Sequence, residues 1–578
     1  MKNILFLNEK SRTAFFEDGF FSKGELASNY NDDLDQIIHT YLLDLRLEEI
    51  NSFILPISIN GNFFDFSGLI FAHHVRLTKQ IKSCDATIVF YGILEVEQLL
   101  RLTDWARILL TPNVIYVNIA KSTFDDLKEL IQSYSPKNFI SEPFLEKIQI
   151  NPPANYETNH HNVDNEFALI QWSKHIKYYN NLPISFKNEF DSRLYFKYLK
   201  LKKDFPEIGE KNQITIDIDA PVNILLIDDE AGKGWEAFYS SLFSNSSKEI
   251  KFEDSGIDFK DPNISDLIIS RVENKVIQFK PDIVLLDLRL LDSDFHKETP
   301  PDELTGLKIL DKIMEINKGI QVIITTASNK AWNFNHAKQK GAYDFIIKDG
   351  FEDPEKAIGK LSITIKNASN RSLYLKPIYK KMDDSLKAWN NYDIPKRKNI
   401  SDLFHDSLWH VNLKLQVNDF VKNAFDTINN DLIAERFTIS TVLLYRVIEM
   451  INEFYIIESG DNRNKTTQYH FDQDNSKVPK IIYQQNNYSV DSNVTVGTSF
   501  STKEKSYAIY HKINGNINKV LFKKIHDFAL YRNNVTIHPN KRFKEESLEF
   551  ILDSDFKRFN SLLNEHFSAI MDYVNSFK

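Results

Sequence analysis

The chain reads as a multidomain protein in which two doubly wound α/β units precede an all-helical C-terminal domain. Three observations predict this. Short apolar runs alternate with amphipathic stretches through residues 1–150 and again through 216–372, the rhythm of β–α–β units. From about residue 380 the strand signal fades and a 3.6-residue apolar period takes over. A length of 578 residues also exceeds what one hydrophobic core sustains, so the chain must divide.

In the first unit, 1–150, strand-like runs fall at Ile4–Leu7, Phe53–Ile59, Ala86–Tyr91 and Val114–Ile119, with helices expected at Leu69–Ile81 and Glu95–Leu109. Asn-Pro-Pro-Ala-Asn at 151–155 opens a partly helical linker, 151–215, which carries His160–His161 and a helix around Glu166–Tyr179. In 216–372 the strands are expected at 223–228, about 249–253, 283–288, 321–326 and 343–347, each followed by a helix. Within 380–578 the clearest helices are Leu413–Ile428, Phe437–Ile457, Val520–Tyr531 and Leu548–Val574. A polar Asn/Gln/Ser-rich stretch at 462–505 reads as a long insertion among them.

Composition narrows the class. Hydrophobic residues are 42% and charged residues 26%, as in ordinary globular proteins. A formal charge of −9 exerts no general pull on nucleic acid or anionic membrane, and since 381–578 is close to neutral the acidity lies upstream. The single cysteine, Cys84, excludes an intramolecular disulfide and fits a reducing compartment. The opening MKNILFLNEK turns polar too soon for a signal peptide, and no apolar run is long enough to span a bilayer. A cytoplasmic protein with no membrane partner is expected.

The chemistry-bearing residues of the middle unit sit at strand ends. Asp228–Asp229 close Asn-Ile-Leu-Leu-Ile, Asp287 ends Ile-Val-Leu-Leu, Thr326 ends Gln-Val-Ile-Ile-Thr, and Lys348 ends Tyr-Asp-Phe-Ile-Ile. In an open parallel sheet the carboxyl ends of strands meet in one crevice. Three carboxylates, a hydroxyl and an ammonium converging there suit one divalent cation and one phosphoryl group. With ILLIDDE, VLLDLRL, TGLKIL, VIITTAS and GAYDFIIK in order, residues 221–350 resemble a response-regulator receiver domain, a flavodoxin-like fold. The resemblance implies Mg²⁺ on Asp228, Asp229 and Asp287, with Asp287 as phosphoacceptor and Thr326, Lys348 and Phe345 as switch residues. It also implies a sensor histidine kinase or phosphotransfer protein as partner. Two departures stand out: Asp349 where the family usually has Pro, and an acidic stretch from Asp292 to Leu304. Its carboxylates (Asp292, Asp294, Glu298, Asp302, Glu303) are expected near the site.

Residues 1–125 resemble a degenerate receiver. FSGLIFAHHVRL parallels TGLKILDKIMEI, and ATIVFYG parallels QVIITTA, but Pro56 stands in place of the phosphoacceptor and Asn8–Glu9 in place of the acidic pair. Such a domain cannot cycle phosphate. A metal role for His73–His74 is not expected.

In the C-terminal domain LYRNNVTIHP holds Arg532, Asn533 and His538, and ERFTISTVLLYRVIEM carries Arg446 and Glu449. Together they resemble the HEPN domains of CRISPR-associated ribonucleases, marked by Arg, a polar residue, and His four to six residues beyond the Arg. On an ideal helix Arg532 and His538 lie about 120° apart. Pro539 ends the helix and frees His538 to approach the Arg face. The resemblance implies a metal-independent endoribonuclease with catalytic Arg532, Asn533 and His538, an RNA substrate, and a homodimer building one composite cleft. The helix of Arg446 and Glu449 is assigned to core and dimer face. The expected whole is a response regulator in which aspartyl phosphorylation controls that ribonuclease, a pairing that suggests stress or anti-phage defence. The alternatives are a signalling adaptor whose helical domain dimerises or binds a partner, and a regulator that binds nucleic acid without cutting it.

Overall fold

The computed structural model describes residues 2–6, 21–26, 33–59, 64–136, 141–151, 160–176, 178, 181–182, 184–202, 214–295, 300–327, 331–348, 353–395, 403–430, 436–460, 466–484, 487–533 and 556–577. The first unit runs β1 (Lys2–Phe6), β2 (Ser22–Gly24), α1 (Leu34–Asp44), β3 (Ile50–Pro56), α2 (Ser67–Leu77), β4 (Thr87–Gly92), α3 (Val96–Leu102), β5 (Val114–Asn118) and α4 (Phe124–Ser133). Its parallel sheet has the order β2-β1-β3-β4-β5. The central strands are buried on both faces, so β3 reads as a continuous apolar run, Phe53 to Pro56. The edge strand β2 is only three residues, Ser-Lys-Gly, and carries no apolar signal from which sequence could place it.

The first unit closes with α5 (Ser141–Lys147), and the linker forms α6 (His160–His175), α7 (Ile184–Ser192) and α8 (Leu194–Lys202). The second unit follows with β6 (Val222–Ile227), α9 (Trp235–Ser244), β7 (Ile250–Asp254), α10 (Ile264–Phe279), β8 (Ile283–Leu286), α11 (Thr305–Ile316), β9 (Gln321–Thr326), α12 (Ala331–Gln339), β10 (Asp344–Ile347) and α13 (Pro354–Asn391). All five of its strands are parallel in the order β10-β9-β8-β6-β7, the doubly wound arrangement predicted. One continuous apolar core joins both units through the linker, from Ile4 and Phe53 through Phe167 and Trp172 to Ile224 and Ala368.

The 38-residue helix α13 leaves this core at Ala368 and enters the C-terminal core at Tyr374. That domain contains α14 (Leu403–Asn429), α15 (Arg436–Tyr455), β11 (Ile456–Ser459), β12 (Gln468–Phe471), β13 (Lys480–Gln484), β14 (Asn487–Asp491), α16 (Thr502–Asn514), α17 (Lys519–Tyr531) and α18 (Phe556–Asn575). The expectation of an all-helical domain is corrected here. There are two antiparallel strand pairs, β11–β12 and β13–β14, and β12, β13 and β14 fall within the stretch assigned to a polar insertion. Tyr469 and Phe471 alternate with Gln468 and His470, and the two aromatics are buried, the period-2 signal that the polar composition concealed. No helix among the described residues is long and apolar enough to cross a membrane.

Polar groups reinforce the joint between the first unit and the linker. His74 Nε2 lies 2.9 Å from Asp35 Oδ1, Lys197 Nζ lies 3.0 Å from His74 Nδ1, and Lys197 donates to Thr78 Oγ1 at 2.9 Å. His73 Nε2 reaches the Trp105 carbonyl at 3.1 Å. Both histidines thus tie α2 to neighbouring elements through their ring nitrogens. Burial pushes His39, His73 and His74 each down to about 4. The unfolded chain titrates near 6.5, so between about pH 4 and 6.5 it binds more protons than the folded one, and stability falls as pH drops through that window. Each histidine contributes at most about 1.4 kcal/mol per pH unit there. Thermal unfolding compared at pH 7 and pH 5 should show this loss, and His73→Gln should remove the His73 share and leave those of His39 and His74.

Candidate functional site

The register of the second sheet brings the predicted groups together. Asp287 follows β8 and donates its backbone N–H to the Ile227 carbonyl at 2.9 Å, which sets it beside Asp228 at the end of β6. Lys348 follows β10 and donates its N–H to the Thr326 carbonyl at 2.8 Å. Its ammonium then donates to Asp228 Oδ2 at 2.7 Å and Asp287 Oδ2 at 3.1 Å. Asp228, Asp287, Thr326 and Lys348 are all buried.

Oxygens of Asp228, Asp229 and Asp287 lie within 4.8 Å of one another. Burial and the neighbouring charges of Asp287 and Asp228 push the Asp229 carboxyl up to about 9. Burial also raises Asp228. Burial alone would lower Lys348, but Asp228 and Asp287 hold its ammonium well above the ordinary lysine range. Three carboxylates facing one ammonium leave an excess of negative charge, and an all-oxygen donor set of this kind fits a hard divalent cation such as Mg²⁺. The repulsion has a testable consequence. Asp229→Asn should raise the thermal midpoint of the metal-free protein, by about 1–2 kcal/mol of stability, while weakening Mg²⁺ binding. Calorimetry with and without Mg²⁺ checks both halves.

Phe345 is buried in the core with its ring edge-on to Phe334, 5.3 Å between centroids, so it already faces inward in this conformation. The acidic stretch departs from expectation. Asp294 turns inward and accepts from the N–H groups of Leu290, Leu291 and Thr305 and from the Thr305 hydroxyl, all at 2.9–3.0 Å. It staples the lengthened loop to the start of α11 instead of adding charge to the site. Asp302 pairs with His336 of α12. Asp292 and Glu303 are exposed, and Glu298 and Asp349 lie outside the described residues.

The first unit repeats this framework without its chemistry. An added Cβ on Gly68 would meet the Pro56 carbonyl at 1.8 Å, as one on Gly306 would meet the Asp287 carbonyl at 2.3 Å. Pro56 therefore stands where Asp287 stands. Ile119 donates to the Gly92 carbonyl at 2.9 Å, as Lys348 does to that of Thr326, so Gly92 and Ile119 replace the hydroxyl and the ammonium. The two sequence parallels drawn above are thus one residue out of register: Gly68 matches Gly306, and Gly92 matches Thr326. Asn8 and Glu9 lie outside the described residues.

The family model described as an inactive receiver domain matches residues 7–117. With its strand order and missing acceptor, this N-terminal unit is an inactive receiver, and the chain carries the flavodoxin-like receiver fold twice. Similar solved structures include the signal receiver domain of a putative Luxo repressor protein from Vibrio parahaemolyticus, 21% identical over 26% of this chain and 92% of that one, TM-score 0.18. Another is a LuxR-family DNA-binding response regulator from Staphylococcus aureus, 18% identical over 26% of this chain and 98% of that one, TM-score 0.18. No curated protein matches the chain.

In the C-terminal domain Arg532 follows α17 and lays its guanidinium carbon 4.4 Å from the Tyr445 ring centroid. Its Nη1 donates to Asn533 Oδ1 at 3.0 Å, and its Nη2 lies 4.0 Å from Glu449 Oε1. Arg446 donates to the other Glu449 oxygen at 3.2 Å and to both oxygens of Glu453, at 2.8 and 3.0 Å. Leu444, Val447, Ile448 and Ile451 of α15 form core as expected, but Arg446 and Glu449 do not join them. They sit at the helix edge beside Arg532, because the 3.6-residue period turns those two positions out of the apolar face. His538 lies outside the described residues.

Proposed function

We propose that the second receiver accepts a phosphoryl group on Asp287 and that this state controls the C-terminal domain. The observation that carries the reading is the convergence of Asp228, Asp229 and Asp287 around the Lys348 ammonium at one sheet edge. Asp228, Asp229 and Asp287 would hold Mg²⁺, which when bound offsets charge on the phosphoryl oxygens. A carboxylate oxygen of Asp287 forms the O–P bond while the donor's bond to phosphorus breaks and the donor leaves with the electron pair. Lys348 supplies the second positive charge to the transferred group. The donor is a histidine kinase or a phosphotransfer protein. The deciding experiment is phosphate-affinity electrophoresis of the full chain with a small phosphodonor, with and without Mg²⁺. A band shift that needs Mg²⁺ and is acid-labile supports the reading, and a wild type that takes up no phosphate sinks it.

Control of the C-terminal domain has a physical route. The Arg371 guanidinium on α13 donates to Gln321 Oε1 at 3.0 Å and to the carbonyl and side chain of Asn429 at 2.8 and 2.9 Å. Gln321 begins β9, and Thr326 ends it. The switch hydroxyl and the clamp to α14 therefore share one strand. The output we propose is metal-independent RNA cleavage by Arg532, Asn533 and His538 in a homodimer of HEPN type. The stacking of Arg532 on Tyr445 favours this over a pure adaptor, because it holds a guanidinium in fixed orientation at the motif.

A further inference from the structure

The phosphoacceptor site has a wall that does not come from the receiver fold. Helix α6 of the linker packs against the β6–α9 turn, and Leu169 fills the space beside Gly234 so closely that an added Cβ there would lie 2.9 Å from it. Two contacts go further than packing. Asn165 Nδ2 donates to Glu230 Oε2 at 2.6 Å in a buried pair, while Lys233 takes the other Glu230 oxygen at 2.8 Å. The Glu230 backbone N–H in turn donates to Asp228 Oδ1 at 2.8 Å. On the other side of the site the Lys348 ammonium lies 5.1 Å from the Trp235 ring centroid, and Trp235 meets Trp172 of α6 edge-on at 5.5 Å. A metal-ligand carboxylate and the phosphate-binding ammonium are therefore each one residue away from α6.

The apolar contacts of Leu169 and Trp172 would seat the helix by themselves. Burying an amide–carboxylate pair costs desolvation that a second apolar contact would avoid. Its effect is to pin the residue next to Asp228 and Asp229, with both Glu230 oxygens engaged away from the cation ligands.

We propose that Asn165 and Trp172 are positioning residues of the phosphoacceptor site, so that occupancy of the site and seating of the linker helix are thermodynamically linked. The proposal rests on the reading of Asp287 as phosphoacceptor. When a phosphoryl group arrives, Lys348 turns part of its attraction to the phosphoryl oxygens, which shifts the ammonium relative to the Trp235 ring and hence the Trp172 contact. Linkage is reciprocal, so loosening α6 lowers the affinity of the site. The linker and the inactive receiver packed on it then respond to the site through α6, which shares its apolar core with the start of α13.

The test uses the full chain with Mg²⁺ and beryllofluoride as the phosphoryl probe, read by hydrogen exchange. In wild type, exchange in α6 should change together with exchange at the strand ends of the second receiver. Asn165→Ala should uncouple the two and raise the Mg²⁺ concentration for half-maximal response by about 2- to 30-fold, the range for residues that carry coupling. Asn165→Ser, which keeps a donor, should recover part of that shift, and Trp172→Phe should reduce the α6 response without unseating the helix. If the receiver responds while α6 exchange stays constant, or Asn165→Ala keeps the wild-type half-saturation, the proposal is overturned and the phosphoacceptor reading stands. If Asp287→Asn responds as wild type does, or nothing responds, the reading fails and takes the proposal with it.

Discussion

Asp287→Asn should abolish phosphate uptake by the full chain. The effect is all-or-none because Pro56 stands at the equivalent strand end of the inactive receiver, where Gly92 and Ile119 also replace the hydroxyl and the ammonium. Among the described residues the first unit therefore offers no acceptor at the strand end equivalent to Asp287. The substitution preserves shape and removes one of three crowded negative charges, so the variant should fold at least as well as wild type. That separates loss of chemistry from loss of structure. Lys348→Met is a different case. It leaves Asp228 and Asp287 buried without their ammonium, and breaking a buried pair from one side typically costs about 3–5 kcal/mol. Electrophoresis scores uptake and thermal unfolding scores the fold; a band shift that survives Asp287→Asn removes the assignment.

The second large effect is expected at the C-terminal motif. Arg532→Ala and His538→Ala should each lower RNA cleavage by about 10²–10⁴-fold, the usual cost of losing a positioned acid, base or charge stabiliser. Arg532 is held by Tyr445, Asn533 and Glu449, so Tyr445→Leu should also reduce the rate by freeing the guanidinium. If the proposed ribonuclease uses the ribose hydroxyl as nucleophile, cleavage should persist in EDTA and leave a 2′,3′-cyclic phosphate. Asp287→Asn should alter the rate and not the products, since Asp287 lies between Leu286 and Leu288 of one core while Arg532 follows Tyr531, which packs on another. Equal RNA decay by wild type and His538→Ala, or no decay by wild type with and without phosphodonor, would remove the ribonuclease and favour the adaptor.

The two-unit α/β layout and the gathering of Asp228, Asp287, Thr326 and Lys348 at strand ends were legible in the sequence, because both are local. A buried parallel strand needs an unbroken apolar run, and the first polar residue after it marks the sheet edge. Asp228, Asp287, Thr326 and Lys348 therefore declared themselves one strand at a time. The vacancy at Pro56 was legible for the same reason. What stayed hidden depends on contacts between distant segments. Ladder hydrogen bonds, and no sequence parallel, decided that Gly92 answers Thr326, since a one-residue slip between strands leaves the apolar pattern unchanged. Asp294 looked like site charge until the fold turned it inward to cap a loop. The strand pairs at 456–491 were masked by polar residues on their exposed faces. The helix of Arg446 and Glu449 was legible as core and dimer face, but an apolar helix says which residues it buries, not that its edge will meet Arg532. The linker composition gave no hint that α6 reaches the site, for Asn165 and Glu230 are 65 positions apart and are brought together by the packing of Leu169 and Trp172 against the β6–α9 turn and α9.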